Sequence, residues 1–419
     1  MKKIILFIII FAAISTAQNK NISNNFLPDF YFDLAAYKSK DSSKTKLDVL
    51  IKVPYSNIQF VKIGKKYKAQ YTITVVLYDD DDEIKLERLW NENISTSNFK
   101  QTTSHNSFSI SYKSFKVEPG EYKFVCKLED KESEKYLEYS EDIKIREFAD
   151  SFDLSDIILI SKFFETKEGR KLLPSVSNLY TSKDSTISFY LEIYSEKEQD
   201  VNLHFAIVDK DENYLFKGSK LYHLVKGKNE IDDQLNGVNF VLGKYKFLVS
   251  VFDEKNDSYK AVTKNITTVI FGFPSSIQNL DMAIAEMQYI AKSGEIDDME
   301  ETKEYQERLK KFLAFWKRLD PSPNTIENET LNEYYRRIDY ANAHFKGSFK
   351  GWRSDMGMVY VTLGPPDQVI KRPYEMDSKP YEIWDYYSLN RRFIFVDVTN
   401  FGDYRLQNPA YGDWFRYRP

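Results

Sequence analysis

The sequence has few of the residues that build disulfide frameworks and metal centres. Its 419 residues include one cysteine, Cys126, and four histidines. A single cysteine excludes an intrachain disulfide and every site that needs several thiolates. The histidines have no neighbouring histidine at metal-ligand spacing, so a histidine-rich metal site has little basis. We therefore predict neither a metal nor a cofactor.

An excess of charge of one sign is also lacking. There are 59 basic and 63 acidic residues, which gives a formal net charge of −4. This balance does not support a basic nucleic-acid surface, so we expect no nucleic-acid partner. Hydrophobic residues reach 42% and aromatic residues 16%, which excludes a disordered chain. The length favours roughly two to three domains.

The first residues have the features of an export signal. A basic start is followed by an apolar run over residues 4–13 and by the small residues Ser15 and Ala17. This pattern predicts a secretory signal peptide at residues 1–17, with a linker at residues 18–25. An N-terminal membrane anchor is the alternative, but the run is too short for a hydrocarbon core of ~30 Å.

Later segments are not apolar enough to cross a membrane, so we expect no transmembrane segment after signal cleavage. The protein is then expected to be exported, and to be periplasmic, outer-membrane-associated or extracellular. Exported compartments are usually oxidising, so the lone thiol of Cys126 is expected to be buried.

Residues 26–271 follow a period of two. Within residues 71–78, for example, Tyr71, Ile73, Val75 and Leu77 alternate with the residues between them. Many such short runs, rich in β-branched and aromatic residues, are separated by clusters of Asp, Asn, Gly and Lys. This arrangement is typical of β-sandwiches.

An internal repeat divides this β-rich region. The segment Gly-Glu-Tyr-Lys-Phe-Val-Cys that begins at Gly120 is echoed by Gly-Lys-Tyr-Lys-Phe-Leu-Val, which begins 123 residues later at Gly243. Tyr122 and Tyr245 resemble the tyrosine corner of immunoglobulin-like sandwiches, where the hydroxyl bonds to nearby backbone. We predict two tandem immunoglobulin-like β-sandwich domains, at residues 26–147 and 152–271.

Each half of the repeat also has an acidic turn. The run from Asp79 to Glu83 offers oxygen ligands that calcium prefers, although a hairpin turn between two strands is the interpretation we favour. The run from Asp209 to Asn213 begins like a calcium loop, but Tyr214 stands where glycine is needed. Whether the first run binds calcium is left open.

The period changes after residue 274, where apolar residues recur at helical spacing. The pattern predicts a first helix capped by Ser275 or Ser276 and ended by residues 293–294, a second over 299–319, and a third from Asn328 or Thr330. Strands are predicted at residues 359–363, 381–386 and 392–398. The expected fold is an α+β domain, residues 275–419, with three helices and an antiparallel sheet.

This last region holds the densest group of unusual motifs. Its main residues are Gly351, Trp352, Asp355, Gly364, Pro365, Pro366, Asp367, Tyr381, Trp384, Tyr386, Asp397, Gly402, Asp403 and Tyr404. In this order and spacing, over residues 275–408, they resemble the GWxTD-domain family of exported bacterial proteins. Ser354 stands where the family has Thr, which keeps a β-hydroxyl. The resemblance implies export and the domain architecture of this family, for which no activity is established.

Two functions are compatible with these residues. The one we favour is an exported, non-catalytic cell-envelope or surface protein with a binding or scaffold role. Its partner is expected to be another envelope or surface protein, bound through residues near Trp352, Asp355, Trp384 and Tyr404. The alternative is a carboxylate-dependent hydrolase of envelope glycan or peptide, with Asp355 and Glu382 as first candidates for catalysis. Such an enzyme needs a concave pocket where two carboxylates lie within ~5–10 Å, at least one of them unpaired. A binding module should instead bond its acids to backbone or arginine and expose aromatic residues.

Overall fold

The structure is a computed structural model that describes residues 30–104, 107–149, 151–166, 169–253, 258–270, 272–274, 276–323, 328–345, 350–373 and 379–407. The predicted signal peptide and linker, residues 1–17 and 18–25, lie outside the described residues. Within the described part, the chain is mostly β-sheet, with five sheets and six α-helices. None of the helices described is both long enough and apolar enough to span a membrane.

In the part of the chain that the structure describes, the first pair of sheets contains eight strands and one short α-helix. One sheet has the order β1-β2-β6, and the other has the order β3-β4-β7-β8 with β5 also paired to β4. Their bounds are β1 Tyr31–Lys38, β2 Thr45–Pro54, β3 Val61–Ile63, β4 Lys66–Tyr78, β5 Ile84–Thr96, α1 Phe99–Thr102, β6 Phe108–Val117, β7 Gly120–Asp130 and β8 Tyr136–Ile145. Between the sheets lies a core to which β2, β4 and β7 contribute, through residues such as Val49, Ile73 and Phe124.

The second pair of sheets follows the same plan. One sheet has the order β11-β10-β13-β16 with β9 on β13, and the other has the order β12-β18-β17-β14-β15. Their bounds are β9 Phe152–Leu154, β10 Ile158–Thr166, β11 Gly169–Pro174, β12 Leu179–Tyr180, β13 Thr186–Ser195, β14 Gln199–Asp209, β15 Tyr214–Leu224, β16 Gly227–Asn236, β17 Gly243–Asp253 and β18 Ser258–Thr268. Phe189, Phe205 and Phe247 are in contact in its core.

The repeated segments occupy equivalent places, at the start of β7 and of β17. The Tyr122 hydroxyl donates to the Glu118 carbonyl at 2.9 Å, and the Tyr245 hydroxyl donates to the Val241 carbonyl at 2.9 Å. The predicted tie of each tyrosine to nearby backbone is therefore confirmed. Cys126 lies in the same core as Tyr122 and is fully buried, as expected, and burial raises the pKa of its thiol.

The acidic turns join antiparallel strands, as the hairpin interpretation predicted. Between β4 and β5, Asp79 accepts hydrogen bonds from the amides of Asp81 and Glu83, at 3.1 and 2.9 Å. Lys85 pairs with the same aspartate at 2.7 Å. Between β14 and β15, Asp209 accepts from two amides in the same way. The aspartate carboxylates thus close these turns by bonding to backbone.

Within the described residues, the C-terminal part contains five α-helices, where three were expected, and an antiparallel sheet of order β19-β20-β21-β22. The bounds are α2 Leu280–Glu286, α3 Ser293–Glu300, α4 Tyr305–Arg318, α5 Glu329–His344, α6 Asp355–Leu363, β19 Gln368–Arg372, β20 Tyr381–Tyr386, β21 Arg391–Asp397 and β22 Tyr404–Leu406. The aromatic residues Phe312, Trp316, Tyr334 and Tyr335 form the centre of the helical core.

Several sequence predictions for this part need correction. The predicted helix over 299–319 is interrupted, because α3 begins at Ser293, which we expected to end a helix, and α4 begins at Tyr305. Asn279 caps α2 through its side chain, not Ser276, and Ser275 lies outside the described residues. The cap at Asn328 is confirmed, since its side chain accepts from the Leu331 amide at 3.0 Å.

The predicted strand at 359–363 is wrong, since these residues complete the helix α6. The run Met-Gly-Met-Val-Tyr-Val-Thr-Leu contains β-branched residues, which favour strands when propensity alone is considered. However, most of α6 is buried on all sides, so the run has no polar face that would indicate a helical period. Tertiary packing therefore overrides the local preference of these residues.

The three parts of the chain are joined by direct contacts. The amide of Ala36 in β1 donates to Asp156 at 2.8 Å, and Ala35, Leu50, Ile158 and Val176 form a small core between the two sheet pairs. Further along, the amide of Leu242 donates to the Tyr305 hydroxyl at 2.9 Å. These contacts link the second sheet pair to both of its neighbours.

Candidate functional site

The Gly-Trp pair of the motif lies in a tight turn packed on α5. A Cβ atom at Gly351 would lie 1.9 Å from the Ala341 carbonyl oxygen, so only glycine permits this approach. The Trp352 side chain is 1% exposed, and the Tyr289 hydroxyl donates to its carbonyl at 3.0 Å. Asn342 accepts from the Trp352 amide at 3.2 Å. Trp352 therefore belongs to the core.

The residue at the family's threonine position caps α6. The Ser354 hydroxyl accepts from the Gly357 amide at 3.0 Å and donates to the Gly351 carbonyl at 2.6 Å. A threonine hydroxyl can make the same two bonds, so serine in place of the family's threonine preserves the N-cap of α6. Gly357 is also constrained, because a Cβ atom there would lie 2.0 Å from the Gly351 carbonyl oxygen.

Asp355, the first catalytic candidate, ties the start of α6 to the last strand. Its carboxylate accepts from the amide of Leu406 in β22 at 2.8 Å. It also lies in the first turn of α6, where the helix dipole favours a negative charge. The carboxylate thus has a structural partner.

The Gly-Pro-Pro-Asp motif forms the turn after α6, where we had expected it to close a strand. Gly364 ends the helix with a φ of 84°, and its carbonyl accepts from the Tyr386 hydroxyl at 2.7 Å. Asp367 then accepts from the Tyr387 amide at 2.6 Å. Pro365 is exposed, whereas Pro366 is partly buried. The turn therefore fixes the path of the chain from α6 into β19.

The second catalytic candidate, Glu382, is buried and paired. Lys371 lies 3.0 Å from its carboxylate, and the Trp384 indole donates to it at 3.3 Å. The neighbouring Asp385 forms a two-pronged pair with Arg392, at 2.6 and 2.9 Å. Hydrogen bonding to Arg392 lowers the pKa of Asp385.

The remaining acids of the motif stabilise the β21–β22 turn. Asp397 accepts from the amides of Gly402 and Thr399, at 2.8 and 3.1 Å. Burial opposes ionisation of Asp397, but these hydrogen bonds outweigh it and lower its pKa. Asp403 pairs with Arg405 at 3.1 Å. Each of the five acids considered from the sequence therefore has a partner.

The aromatic residues of the motif differ in how deeply they are buried. Trp384 and Tyr386 are buried with Phe393 and Phe395 between the sheet and α6. Tyr381 and Tyr404 are partly buried, and burial raises the pKa of Tyr404. The deeper residues thus build the second small core of the C-terminal part.

One acid was not identified from the sequence. Glu286, at the end of α2, is 8% exposed, and its carboxylate has no hydrogen bond or ion pair within the described structure. Burial, with a further contribution from the charge of Asp339, raises its pKa to about 8, while Lys350 and Arg353 act in the opposite direction. Glu286 lies three residues after the buried Ala283, and this helical spacing is the sequence signal that would have indicated its burial.

These features define a mostly-β protein whose C-terminal part is built around a capped, buried helix. Residues 250–411 match the family model described as the GWxTD domain, so the C-terminal part of the chain is a GWxTD domain. The resemblance found in the sequence is thereby confirmed. No curated protein matches the chain.

Several solved structures share a weak likeness with the chain. Latent PorU from Porphyromonas gingivalis is 12% identical, with a TM-score of 0.23 over 57% of this chain and 20% of that one. A glycosyl hydrolase family 2 member from Bacteroides cellulosilyticus is 9% identical, with a TM-score of 0.22 over 52% and 26%. A β-galactosidase-like protein from Bacteroides fragilis is 7% identical, with a TM-score of 0.21 over 57% and 35%. The chain spans only a fifth to about a third of these structures, and the likeness carries no functional argument.

Proposed function

We propose that the protein is an exported, non-catalytic component of the cell envelope or surface, and that its GWxTD domain binds another envelope or surface protein. The two predicted immunoglobulin-like domains, residues 26–147 and 152–271, would act as spacer or adhesion units. The basic and apolar start of the sequence supports export, and the two matching tyrosine bonds support the immunoglobulin-like assignment.

The observation that carries the binding proposal is one exposed aromatic side chain on a well-fixed turn. Phe401 is 95% exposed between β21 and β22. The turn is held by Asp397, and the Phe401 amide itself donates to the Thr399 hydroxyl at 3.2 Å. A rigidly presented aromatic residue is typical of the anchors that dominate binding energy at protein interfaces.

The positions of the acids support a binding role over the hydrolase alternative. Asp355 bonds to backbone and Glu382 pairs with Lys371, so each of the two candidates has a structural partner, as expected of a binding module. If the alternative is correct, the purified protein should release fragments from envelope glycan or peptide. That activity should disappear in both Asp355→Asn and Glu382→Gln.

Crosslinking tests the binding proposal directly. A photo-reactive amino acid placed at Phe401 should crosslink one specific envelope protein in intact cells. The same substitution at Leu221, an exposed apolar residue of β15, is the matched control and should not. Phe401→Ala should abolish co-purification of that protein, whereas Leu221→Ala should leave it unchanged. Equal crosslinking from both positions would contradict the proposal.

Export has a separate test. The full chain should be recovered in the envelope or extracellular fraction with its first 17 residues removed, and deletion of residues 1–17 should retain it in the cytoplasm. Recovery of both forms in the same fraction would contradict export.

A further inference from the structure

A lysine-lined cleft lies where the two sheet pairs meet. Its volume is about 570 Å³, and its walls come from the ends of β1, β2 and β6 on one side and of β13 and β16 on the other. Five lysines line it: Lys38, Lys40, Lys46, Lys116 and Lys228. Such a concentration of positive charge is unexpected in a chain whose formal net charge is −4.

The strand registers explain why these residues converge. In the first pair, Tyr37 lies opposite Lys46, which lies opposite Lys116, so the three form one row across the sheet. In the second pair, Tyr194 lies opposite Lys228. The amide of Lys38 donates to the Tyr194 hydroxyl at 2.9 Å and thereby joins the two rows.

The acids near the cleft leave part of its positive charge uncompensated. Among the described residues that line the cleft, Glu192 is the one acid, and it is buried and bonded to the hydroxyls of Tyr190 and Tyr194. It also lies 3.4 Å from Lys228.

Two further acids flank the lining. Asp48 pairs with Lys46 at 3.0 Å, and Glu230 pairs with Lys228. These acids and Glu192 are thus engaged by Lys46 and Lys228.

Two lysines are available to a ligand. Lys40 and Lys116 are exposed, and neither has an ion pair within the described residues. Asp41 is near enough to interact with Lys116 electrostatically, but the two form no ion pair. The cleft thus offers two exposed ammonium groups above a floor of tyrosine and lysine stems.

We propose that this cleft binds an anionic polysaccharide, whose carboxylate or sulfate groups contact Lys40 and Lys116. Lysine acts as a flexible point charge and needs no fixed geometry in its anion. The volume falls within the range of ligand sites, and such sites occur preferentially between domains. Because the rest of the chain is acidic, a polyanion is attracted to this cleft and repelled elsewhere.

Two other polyanions fit less well. Single-stranded nucleic acids bind by stacking bases on exposed aromatic faces, but Tyr37 is 3% and Tyr194 is 7% exposed. An anionic bilayer presents a broad surface, and it cannot enter a cleft recessed between two sheets. A polysaccharide chain with pendant anionic groups requires neither exposed aromatic faces nor a broad flat surface.

Binding to defined oligosaccharides tests the proposal with the full exported chain. A sulfated oligosaccharide and an oligogalacturonate distinguish sulfate from carboxylate, and a neutral dextran of similar length is the control. At least one anionic oligosaccharide should bind, and the affinity should fall steeply when salt is raised from about 0.05 M to about 0.5 M. Failure of both anionic ligands to bind, or equal binding of dextran, would overturn the proposal.

Charge-matched variants locate the site. Lys40→Gln combined with Lys116→Gln should weaken binding by about tenfold, since two exposed charge contacts are lost. Lys65→Gln combined with Lys66→Gln removes the same charge from exposed positions outside the cleft and should have little effect. Equal weakening by the two double variants would overturn the assignment. So would tighter binding to phosphatidylglycerol vesicles or single-stranded DNA than to either anionic oligosaccharide.

Discussion

The strands of the β-rich region are half exposed, whereas the helix α6 of the GWxTD domain is buried on nearly every side. In β7, the buried Tyr122, Phe124 and Cys126 alternate with the exposed Glu121 and Lys123. In α6, six of nine residues are buried. The two regions consequently differ in how much of each element meets water.

In the β-rich region, most charged residues lie on exposed faces, where individual pairs contribute little to stability. In the GWxTD domain, carboxylates and hydroxyls bond to partly buried backbone and hold the elements together, as Ser354 and Asp355 do. Asp355, a catalytic candidate from the sequence, is thus a structural tie between α6 and β22. The four predictions below test this contrast, from the largest expected effect to the smallest.

Replacing the motif tryptophan should have the largest effect. Trp352→Ala removes a buried indole and should lower the free energy of unfolding of the GWxTD domain by about 3–5 kcal/mol. Trp90→Ala in β5 is the matched change in the β-rich region. Trp90 is only partly buried, so the loss should be clearly smaller. Denaturant unfolding measures both losses. An unchanged unfolding curve for Trp352→Ala would contradict the burial of the indole in the core.

The buried acid of α2 should make the GWxTD domain less stable as the pH rises. Burial raises the pKa of Glu286 from 4.5 to about 8, so the folded state binds a proton that the unfolded state releases. Its contribution is present below pH 4.5 and is lost as the pH rises through about 8, by an amount of the order of a few kcal/mol.

Glu286→Gln should remove this pH dependence, measured by hydrogen exchange of the α2 amides. Glu333→Gln is the matched control. Burial opposes ionisation of Glu333, but hydrogen bonds from Arg336 and Arg337 outweigh it and lower its pKa. The stabilising contribution of Glu333 should therefore be lost as the pH falls below 4.5. Glu333→Gln should change the acidic side of the stability profile, not the part in which Glu286 acts. A wild-type profile that rises between pH 4.5 and 8 would contradict the role of Glu286.

A methyl group added at the motif turn should cost less than loss of the indole. Gly357→Ala places a Cβ atom against the Gly351 carbonyl and should destabilise the domain by about 1–3 kcal/mol. Gly294→Ala is the matched control, because its Cβ atom meets nothing within 4 Å and alanine favours the helix α3. Gly120→Ala in the β-rich region should lie between them, since its contact is with the Tyr122 side chain at 3.2 Å. Thermal unfolding that ranks Gly294→Ala as the most damaging would contradict this account.

The smallest expected effects test the equivalence of the two repeats. Tyr122→Phe and Tyr245→Phe each remove one hydroxyl that donates to a carbonyl at 2.9 Å. Each change should lower the free energy of unfolding by about 1 kcal/mol, and the two losses should be similar. A large loss in one copy with none in the other would show that the repeats differ in their energetics.

The sequence predicted the parts of the fold in which one face of an element meets water. Alternation identified β4 and β13, and the cap at Asn328 identified the start of α5. The motif residues around Trp352 were correctly located in the C-terminal domain, whose family assignment is confirmed. Their role was harder to predict, because the partners of Asp355 and Glu382 lie on other elements, at Leu406 and Lys371.

The sequence by itself determined the period of each amphipathic element, the repeat of the tyrosine segment and the order of the GWxTD motif, because these depend on neighbours along the chain. Only the tertiary structure decided that residues 359–363 are helical, that Glu286 is buried with no ion pair among the described residues, and that five lysines from distant strands line one cleft. Burial and long-range contact set these properties, and both arise when segments far apart in sequence pack together.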